Sequence, residues 1–448
     1  MNEKIYLETL GCSKNQVDSE IMLGILKEHN YDFTYDESEA DIIIINTCGF
    51  IESAKKESID TILELAQLKK TCKCKILIVT GCLAQRYSKE LSMEIPEVDA
   101  FLGTTNFNEI AKIINKILKN NERIVSTANS DKAVEYDLPR ILTSPSYTAY
   151  LKIAEGCDNY CTYCIIPKLR GKYKSRPIEK IVNEAKNLAK NGTKELIVIA
   201  QDITRYGIDL YGNYQLCELL KQLNSIEELK WIRLQYSYPD IISDELIEVI
   251  ESNKKICKYI DIPIQHCNNK ILKEMNRRTT KEHIITVINK LRKKIPDIAI
   301  RTTLITGFPG ETDEQFTELY DFVKEIEFDK LGVFTYSREE DTPAAKLPKQ
   351  IPEDIKENRR DKIMLLQRDI SLKKNMDKIG RVYDILIEEK IENENVYVGR
   401  TEFDAPEIDG VVYINSHLNI NIGEFIRAKI IDALEYDLIG EVVNELSE

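Results

Sequence analysis

Short apolar runs alternate with helical patterns over the first 120 residues. Three runs are rich in Ile and Val and have the length of strands: Lys4–Leu7, Asp41–Ile45 and Lys75–Val79. Between them, Val17–His29 and Glu52–Leu68 carry apolar residues at helical spacing. This order predicts a parallel sheet with helices packed on its faces. We therefore expect an N-terminal α/β domain over residues 1–120.

A second alternating stretch follows residues 121–147, which are rich in Asn, Ser, Asp and Pro and are predicted to be a linker. Residues 148–376 contain six strand-like runs: Thr148–Ala154, Leu196–Ala200, Trp231–Gln235, Tyr259–Ile262, Ala299–Ile305 and Lys330–Thr335. Helical patterns such as Pro177–Lys190 and Asp313–Glu325 separate them. Six such units predict a complete or partial barrel with its functional mouth at the strand ends.

The last part of the chain, residues 377–448, follows a charged helical stretch over Pro352–Lys378. Its short β-type runs are separated by glycines, which is typical of a small all-β barrel. Residues 379–448 hold 16 Asp or Glu against 5 Lys or Arg, a net charge of −11. The fold class is thus multidomain α/β with a C-terminal β-barrel.

Composition excludes several classes of protein. The 448 residues are 43% hydrophobic and 31% charged, which is typical of a folded, soluble protein, and no apolar run reaches the length of a membrane span. The N-terminus lacks the apolar stretch of a secretory signal, so we expect a cytoplasmic location. A net charge of −13 argues against sequence-independent nucleic-acid binding. With 11 Cys and only 4 His, any metal site is expected to use thiolates.

Each of the three N-terminal strands ends in a turn that contains a cysteine: Cys12, Cys48 or Cys82. The carboxyl ends of parallel strands open on one edge of a sheet, where such folds bind ligands. We therefore expect these thiols to meet in one place. The alternative is three unrelated buried thiols.

A second group of cysteines follows the first strand of the central part, as Cys157, Cys161 and Cys164 in a C-x3-C-x2-C arrangement. Three thiolates can hold three irons of a four-iron cluster and leave the fourth iron open to a substrate ligand. Zinc is the alternative metal, but it needs a fourth Cys or His, and none follows within twenty residues.

This motif, with an aromatic residue before its third Cys, resembles the radical S-adenosylmethionine (SAM) signature. Combined with Cys12, Cys48 and Cys82, it is similar to the methylthiotransferases. Glu8–Glu20 (ETLGCSKNQVDSE), Ala200–Asp202, Thr204–Gly207 and Tyr436–Leu438 look like the RimO branch of that family. The tRNA-modifying MiaB branch usually carries Val-Gln-Ser where this chain has Ile264-Gln265-His266.

The resemblance implies an N-terminal cluster domain, a central radical-SAM partial (β/α)6 barrel and a C-terminal TRAM barrel. It implies two 4Fe-4S clusters, one on each Cys group, and cleavage of SAM to a 5′-deoxyadenosyl radical by an electron from a low-potential donor. The activity implied is transfer of a methylthio group to the β-carbon of an aspartate in small ribosomal subunit protein twelve. We expect a monomer with no tRNA substrate.

Four residues at or beside barrel strand ends are candidate SAM contacts: Gln201, Ser237, Gln265 and Arg301. Arg301 could pair with the SAM carboxylate, or instead form a structural ion pair. The glycine turn Thr306–Thr312 lacks the Gly-Lys-Ser/Thr ending of a phosphate loop, so we do not expect it to bind phosphate. The resemblance implies that this turn lets the backbone approach SAM, and the alternative is a plain turn from strand to helix. No side chain is assigned as a general acid or base.

Other interpretations concern the substrate and the remaining thiols. A tRNA methylthiotransferase would share the clusters, and a non-catalytic Fe–S carrier would usually ligate all four irons of each cluster. The acidic C-terminal barrel repels phosphates and favours a basic protein partner. The other cysteines are expected to have no role in the chemistry: Cys72, Cys74, Cys217, Cys257 and Cys267, with Cys217 and Cys257 predicted in helical, apolar surroundings.

Overall fold

The computed structural model describes residues 3–127 and 138–443. The first part contains six strands: β1 (Lys4–Thr9), β2 (Asp32–Phe33), β3 (Ile42–Thr47), β4 (Ile76–Gly81), β5 (Ala100–Leu102) and β6 (Ile124–Ser126). They pair in parallel in the order β2-β1-β3-β4-β5-β6. Its helices are α1 (Ser13–Glu28), α2 (Glu52–Ala66), α3 (Leu68–Thr71), α4 (Cys82–Glu94) and α5 (Ile110–Asn120). Every residue of β3 and β4 is buried, which explains their continuous apolar runs.

The three longest strands of this sheet were predicted, whereas β2, β5 and β6 were not. Each of these has only two or three residues, too few to show a period in the sequence. Part of the linker predicted over residues 121–147 belongs to the first sheet instead, because β6 pairs with β5 there. Residues 128–137 of that predicted linker lie outside the described residues.

The central part contains a second parallel sheet. Its strands are β7 (Thr148–Lys152), β10 (Glu195–Ile199), β11 (Trp231–Leu234), β12 (Ile256–Asp261), β13 (Ala299–Thr306) and β14 (Lys330–Thr335), with a hairpin of β8 (Ala154–Glu155) and β9 (Lys174–Ser175) after β7. The helices are α6 (Ile166–Arg170), α7 (Ile178–Lys190), α8 (Ile208–Tyr211), α9 (Leu216–Asn224), α10 (Asp244–Ser252), α11 (Asn269–Glu274), α12 (Lys281–Lys294), α13 (Asp313–Ile326) and α14 (Glu353–Met376).

Neighbours in this second sheet follow the order of the chain, from β7 through β10 to β14, as in a (β/α) barrel. Within the described residues β7 and β14 do not pair, so the barrel is partial. Successive side chains along each strand point to opposite faces of this sheet. Leu196 and Val198 pack with the surrounding helices, whereas Ile197 and Ile199 share a buried cluster with α1 and α5. The N-terminal part therefore packs against the inner face of the partial barrel.

The C-terminal part is a closed barrel of five strands: β15 (Val382–Lys390), β16 (Val396–Arg400), β17 (Val412–Asn415), β18 (Phe425–Ala433) and β19 (Leu438–Val442). It packs against the first residues of the central strands. Glu195, at the start of β10, pairs with Arg400 at 2.6 Å and with Arg233 at 2.8 Å. Burial opposes ionisation of Glu195, but these two guanidinium groups lower its pKa to about 2.

The predicted fold class is confirmed.

None of the helices in residues 3–127 and 138–443 combines the length and apolar character that a lipid bilayer requires.

Candidate active site

The N-terminal Cys trio, Cys12, Cys48 and Cys82, lies at the carboxyl edge of the first sheet. Cys12 is the N-cap of α1, Cys48 directly follows β3, and Cys82 is the first residue of α4. Burial raises the pKa of the Cys82 thiol to about 12, and the nearby thiols of Cys12 and Cys48 contribute to the increase. The structure thus brings together three cysteines that are far apart in sequence.

Two features hold the turns of this trio close together. Gly11 has φ +94°, and a Cβ there would lie 2.7 Å from Cβ of Cys48, so the close approach requires glycine. The buried Asn15 amide donates hydrogen bonds to the carbonyls of Leu10 at 2.9 Å and Thr47 at 3.1 Å. Its Oδ1 lies 4.0 Å from Sγ of Cys82. Asn15 therefore contacts the segments that carry all three cysteines.

The central Cys trio, Cys157, Cys161 and Cys164, lies in the loop after β8. Burial raises the pKa of Cys157 to about 12, and Cys161 adds to the increase. Burial likewise raises the pKa of Cys164, with contributions from the other two thiols. The loop is held from α11: Thr162 N donates to the carbonyl of Met275 at 3.0 Å, and Asn276 donates to that of Tyr160 at 2.9 Å.

An arginine and a tyrosine that the sequence did not single out lie beside this trio. Nη1 of Arg277 lies 4.0 Å from Sγ of Cys161, and the Tyr238 hydroxyl lies 3.7 Å from the same sulfur. The Arg277 guanidinium stacks 3.8 Å from the centroid of the Tyr238 ring. Tyr238 directly follows Ser237, a predicted SAM contact, so its position after β11 could have identified it from the sequence. Nothing in the sequence around Arg277 indicated that it contacts Cys161.

The two trios face each other across α6. Cys82 shares a small buried cluster with Ile165 and Leu169, which follow Cys164 in the chain. The carboxyl edge of the first sheet and the mouth of the partial barrel therefore lie side by side. This arrangement depends on how the two sheets pack.

A buried network of charges joins the N-terminal part to the partial barrel near the two trios. Nη1 of Arg170 donates to both carboxylate oxygens of Glu155 at 3.0 Å, and Nη2 donates to Oδ1 of Asn15 at 2.6 Å and to Asp18 at 3.1 Å. Lys152 pairs with both Asp18 and Glu155. Burial alone would raise the pKa of Glu155, but Arg170 and Lys152 hold it well below its usual range. Sequence analysis included Asn15 and Asp18 only as part of the motif Glu8–Glu20 and did not predict this network.

Three of the four predicted SAM contacts lie at the mouth of the partial barrel. Gln201 and Ser237 follow β10 and β11, and Gln265 forms a bridge to Leu304 near the end of β13. Gln201 donates to Glu155 at 3.1 Å, while its Oε1 and the Ser237 hydroxyl are buried without a partner in the described part of the chain. These two oxygens could bind a polar ligand.

The structure does not place Arg301 with these residues. Arg301 is the third residue of β13, and its guanidinium lies 3.2 Å from Asp261 and 3.5 Å from Asp409 of the C-terminal barrel. It therefore forms the structural ion pair that the sequence left as the alternative. The reason is its position near the start of an eight-residue strand, on the side of the C-terminal barrel.

The glycine turn after β13 does not form a phosphate site. The Glu311 carboxylate accepts hydrogen bonds from the backbone N–H groups of Gly307 and Phe308, and at Phe308 the distance is 3.1 Å. Since a carboxylate occupies these donors, the turn cannot offer them to an anion.

The remaining cysteines lie in varied surroundings. Cys72 is exposed, and Cys267 is fully buried in the core of the partial barrel. Cys217 is half-buried on α9, whereas Cys257 lies in β12, so its predicted helical setting is wrong. The cause is the short strand Ile256–Asp261, whose apolar residues do not distinguish a strand from a helix.

The metal ligands that the two Cys trios offer are all thiolates. In residues 3–127 and 138–443, no group of three or more His, Cys, Asp or Glu side chains is arranged to hold a single metal ion. The ligands of a zinc ion converge on one point at about 2.3 Å, whereas each thiolate of a four-iron cluster binds a different iron. Two all-thiolate sets of three cysteines fit iron–sulfur clusters that are each bound by three thiolates.

Three protein families match successive parts of the chain. Residues 4–103 match the uncharacterized protein family UPF0004, residues 151–323 match the radical SAM superfamily, and residues 379–443 match the TRAM domain. The matches occur in the same order as the first sheet, the partial barrel and the C-terminal barrel.

Curated relatives match over nearly the whole chain. A protein of Clostridioides difficile named ribosomal protein uS12 methylthiotransferase RimO is 58% identical over 99% of this chain and 100% of its own length. A protein of Desulforamulus reducens with the same name is 54% identical over 98% of this chain and 99% of its own.

Solved structures resemble the fold at low identity. The radical SAM methyltransferase TsrM from Kitasatospora setae has a TM-score of 0.56 at 13% identity, over 77% of each chain. The cobalamin-dependent SAM radical enzyme OxsB has a TM-score of 0.50 at 15% identity, over 82% of this chain and 56% of its own.

Proposed function

The chain belongs to the family of ribosomal protein uS12 methylthiotransferases named RimO, and we propose that it inserts a methylthio group at the β-carbon of an aspartate in uS12. It is a radical SAM enzyme and a transferase. The observation that carries the proposal is the proximity of the two three-cysteine sites: Cys82 packs on Ile165 and Leu169, which follow Cys164 in the chain. A transfer between two reacting sites requires such proximity.

Each Cys trio would hold one 4Fe-4S cluster, Cys12, Cys48 and Cys82 in the N-terminal site and Cys157, Cys161 and Cys164 in the central one. Bound clusters and SAM supply one-electron and sulfur-transfer chemistry that side chains cannot perform. Gln201, Ser237 and Gln265 would bind SAM, and the unpartnered oxygens of Gln201 and Ser237 support this assignment. Arg301 would instead join the partial barrel to the C-terminal barrel.

The chain's own contribution is positioning and exclusion of water. Asn15 holds the turns of the N-terminal trio, and Arg170 ties Asn15 to Glu155, two residues before Cys157. These groups are buried, so they are screened little by solvent and hold fixed positions. Fixed placement of two reacting sites is what a transfer between them requires.

The charge of the C-terminal barrel supports a protein substrate over tRNA. A net charge of −11 over residues 379–448 repels phosphates and attracts a basic protein such as a ribosomal protein. Glu389, Glu392 and Glu394 are exposed, whereas Glu388 pairs with the buried Arg400 at 2.8 Å and serves the fold. The MiaB-type tRNA reaction has no comparable support. A low-potential electron donor, a monomeric state and a cytoplasmic location are part of this proposal.

A competition assay tests the proposal. Anaerobically reconstituted protein, SAM and a strong reductant are incubated with both uS12 and isopentenylated tRNA, and each product is analysed by mass spectrometry. A methylthio mass gain on uS12 alone is expected. A gain on the tRNA alone would contradict the proposed substrate but retain the two-cluster chemistry, and SAM cleavage without either product would contradict both substrates.

A further inference from the structure

Lys14 lies in the first turn of α1, two residues after Cys12, and is only 6% exposed. Its ammonium group lies 3.1 Å from the centroid of the Tyr236 ring. Tyr236 follows β11 and directly precedes Ser237, a predicted SAM contact. Lys14 therefore lies between the N-terminal Cys trio and the mouth of the partial barrel.

This ammonium group has no anionic partner in the described chain. Among residues 3–127 and 138–443, none accepts a hydrogen bond from Lys14 or forms an ion pair with it. The face of an aromatic ring stabilises a cation without neutralising it. A nearly buried cation without a counter-ion costs folding free energy, and such groups are concentrated at functional sites.

The two carboxylates of the adjoining buried charge network, Asp18 and Glu155, are already paired. Asp18, one helical turn after Lys14, pairs with Lys152 and Arg170, and Glu155 pairs with the same two cations. Two carboxylates and two cations balance one another. The charge of Lys14 is therefore not used by this network and remains available to an anionic ligand.

We propose that Lys14 binds the carboxylate of the substrate aspartate. The inference rests on the proposed function, in which the methylthio group is added to the β-carbon of that residue. Since the side-chain carboxylate is bonded to this carbon, an ammonium group that holds the carboxylate also fixes the reacting carbon between the two cluster sites. The ligand of the Lys14 ammonium group is thus the side-chain carboxylate of a peptide. The neutral amide of an asparagine in its place would bind Lys14 more weakly.

The test measures the preference for aspartate over asparagine. The dissociation constants of reconstituted enzyme, without reductant, are determined for uS12 and for uS12 with its target aspartate replaced by asparagine. The wild-type chain is expected to bind the aspartate form about tenfold more tightly, the typical effect of one charge-assisted hydrogen bond. Lys14→Met should bind both forms equally, and Lys14→Arg should recover part of the preference.

Two further variants keep the result interpretable. Lys14→Gln retains a polar side chain without the charge and should lose the preference as Lys14→Met does, even where Lys14→Met folds poorly. Lys27→Met removes an exposed lysine from the same helix and should retain the full preference. A Lys14→Met or Lys14→Gln chain that still prefers aspartate tenfold would overturn the inference.

A parallel turnover assay separates this inference from the proposed function. If the wild-type chain, with SAM and reductant, adds no methylthio group to uS12, the proposed function fails and the role of Lys14 fails with it. If the wild-type chain modifies uS12 and Lys14→Met modifies it with an unchanged KM, only the role of Lys14 is excluded. The expected result is an increase in KM of about tenfold for Lys14→Met.

Discussion

Asn15 and Arg170 share a hydrogen bond of 2.6 Å, although 155 positions separate them in the chain. Asn15 holds the turns of the N-terminal Cys trio, and Arg170 ends the helix that follows the central Cys trio. Their contact fixes one candidate cluster site relative to the other. It also couples the stability of the junction between the sheets to a few buried polar groups.

Replacement of Arg170 by Met is expected to lower the free energy of unfolding by about 3–5 kcal/mol. The variant leaves Asp18 and Glu155 with Lys152 as their shared cation, and breaking a buried ion pair on one side typically has a cost of this size. Chemical denaturation of the cluster-free chain measures it. Arg368→Met removes an exposed surface pair and should change the value by less than about 0.5 kcal/mol. Equal stability of both variants would contradict the role given to Arg170.

Simultaneous replacement of Cys12, Cys48 and Cys82 by Ala is expected to halve the iron content after anaerobic reconstitution. Two four-iron clusters correspond to about eight irons per chain, and loss of one leaves about four. Replacement of Cys157, Cys161 and Cys164 should have the same effect on iron and should also abolish SAM cleavage. Cys72→Ala alters an exposed thiol and should retain all the iron. Full iron content in either triple variant would rule out that trio as a cluster site.

Lys378→Met is expected to stabilise the chain at pH 7. Burial lowers the pKa of Lys378 to about 8, whereas an unfolded lysine titrates near 10.4. Between these values the unfolded state binds more protons, so this group makes the free energy of unfolding rise with pH, by about 3 kcal/mol in total. The variant should exceed the wild type by that amount at pH 7, and the difference should vanish above pH 10.5.

Denaturation curves at several pH values test this expectation. Lys373→Met, which removes a mostly exposed lysine paired with Glu327 near the end of α14, serves as the control and should not reproduce the trend. A stability difference for Lys378→Met that is constant from pH 7 to pH 10.5 would show that Lys378 titrates as in the unfolded chain.

The triple variant Glu389→Gln, Glu392→Gln and Glu394→Gln is expected to weaken binding of uS12 and to reduce the dependence of that binding on salt. These carboxylates are exposed on the β15–β16 hairpin and act on a basic partner over the screening length of the solution. Affinities at two ionic strengths measure the effect. Glu227→Gln with Glu228→Gln removes exposed acids from the central part and should have less effect. An unchanged affinity and salt slope would show that the barrel charge has no part in docking.

The sequence predicted the order of the three parts and most of the long elements. Continuous Ile and Val runs identified β3 and β4, and the predicted run Lys330–Thr335 matches β14 in both bounds. It missed β2, β5 and β6 because strands of two or three residues carry no readable period. Arg301 was placed at the mouth of the partial barrel, but its partners Asp261 and Asp409 come from elsewhere in the chain, and no local pattern indicates such pairs.

What the sequence determined by itself is local: the alternation of strands and helices, the cysteine spacing and the acidic charge of the C-terminal barrel. Because parallel strands end on one edge, strand order sufficed to group Cys12, Cys48 and Cys82. Only the tertiary structure decided that the two trios lie side by side, that Arg170 reaches Asn15, and that Lys14 has no counter-ion among residues 3–127 and 138–443. Burial and pairing of a charge depend on residues that meet only when the sheets pack, and this information is absent from the local sequence.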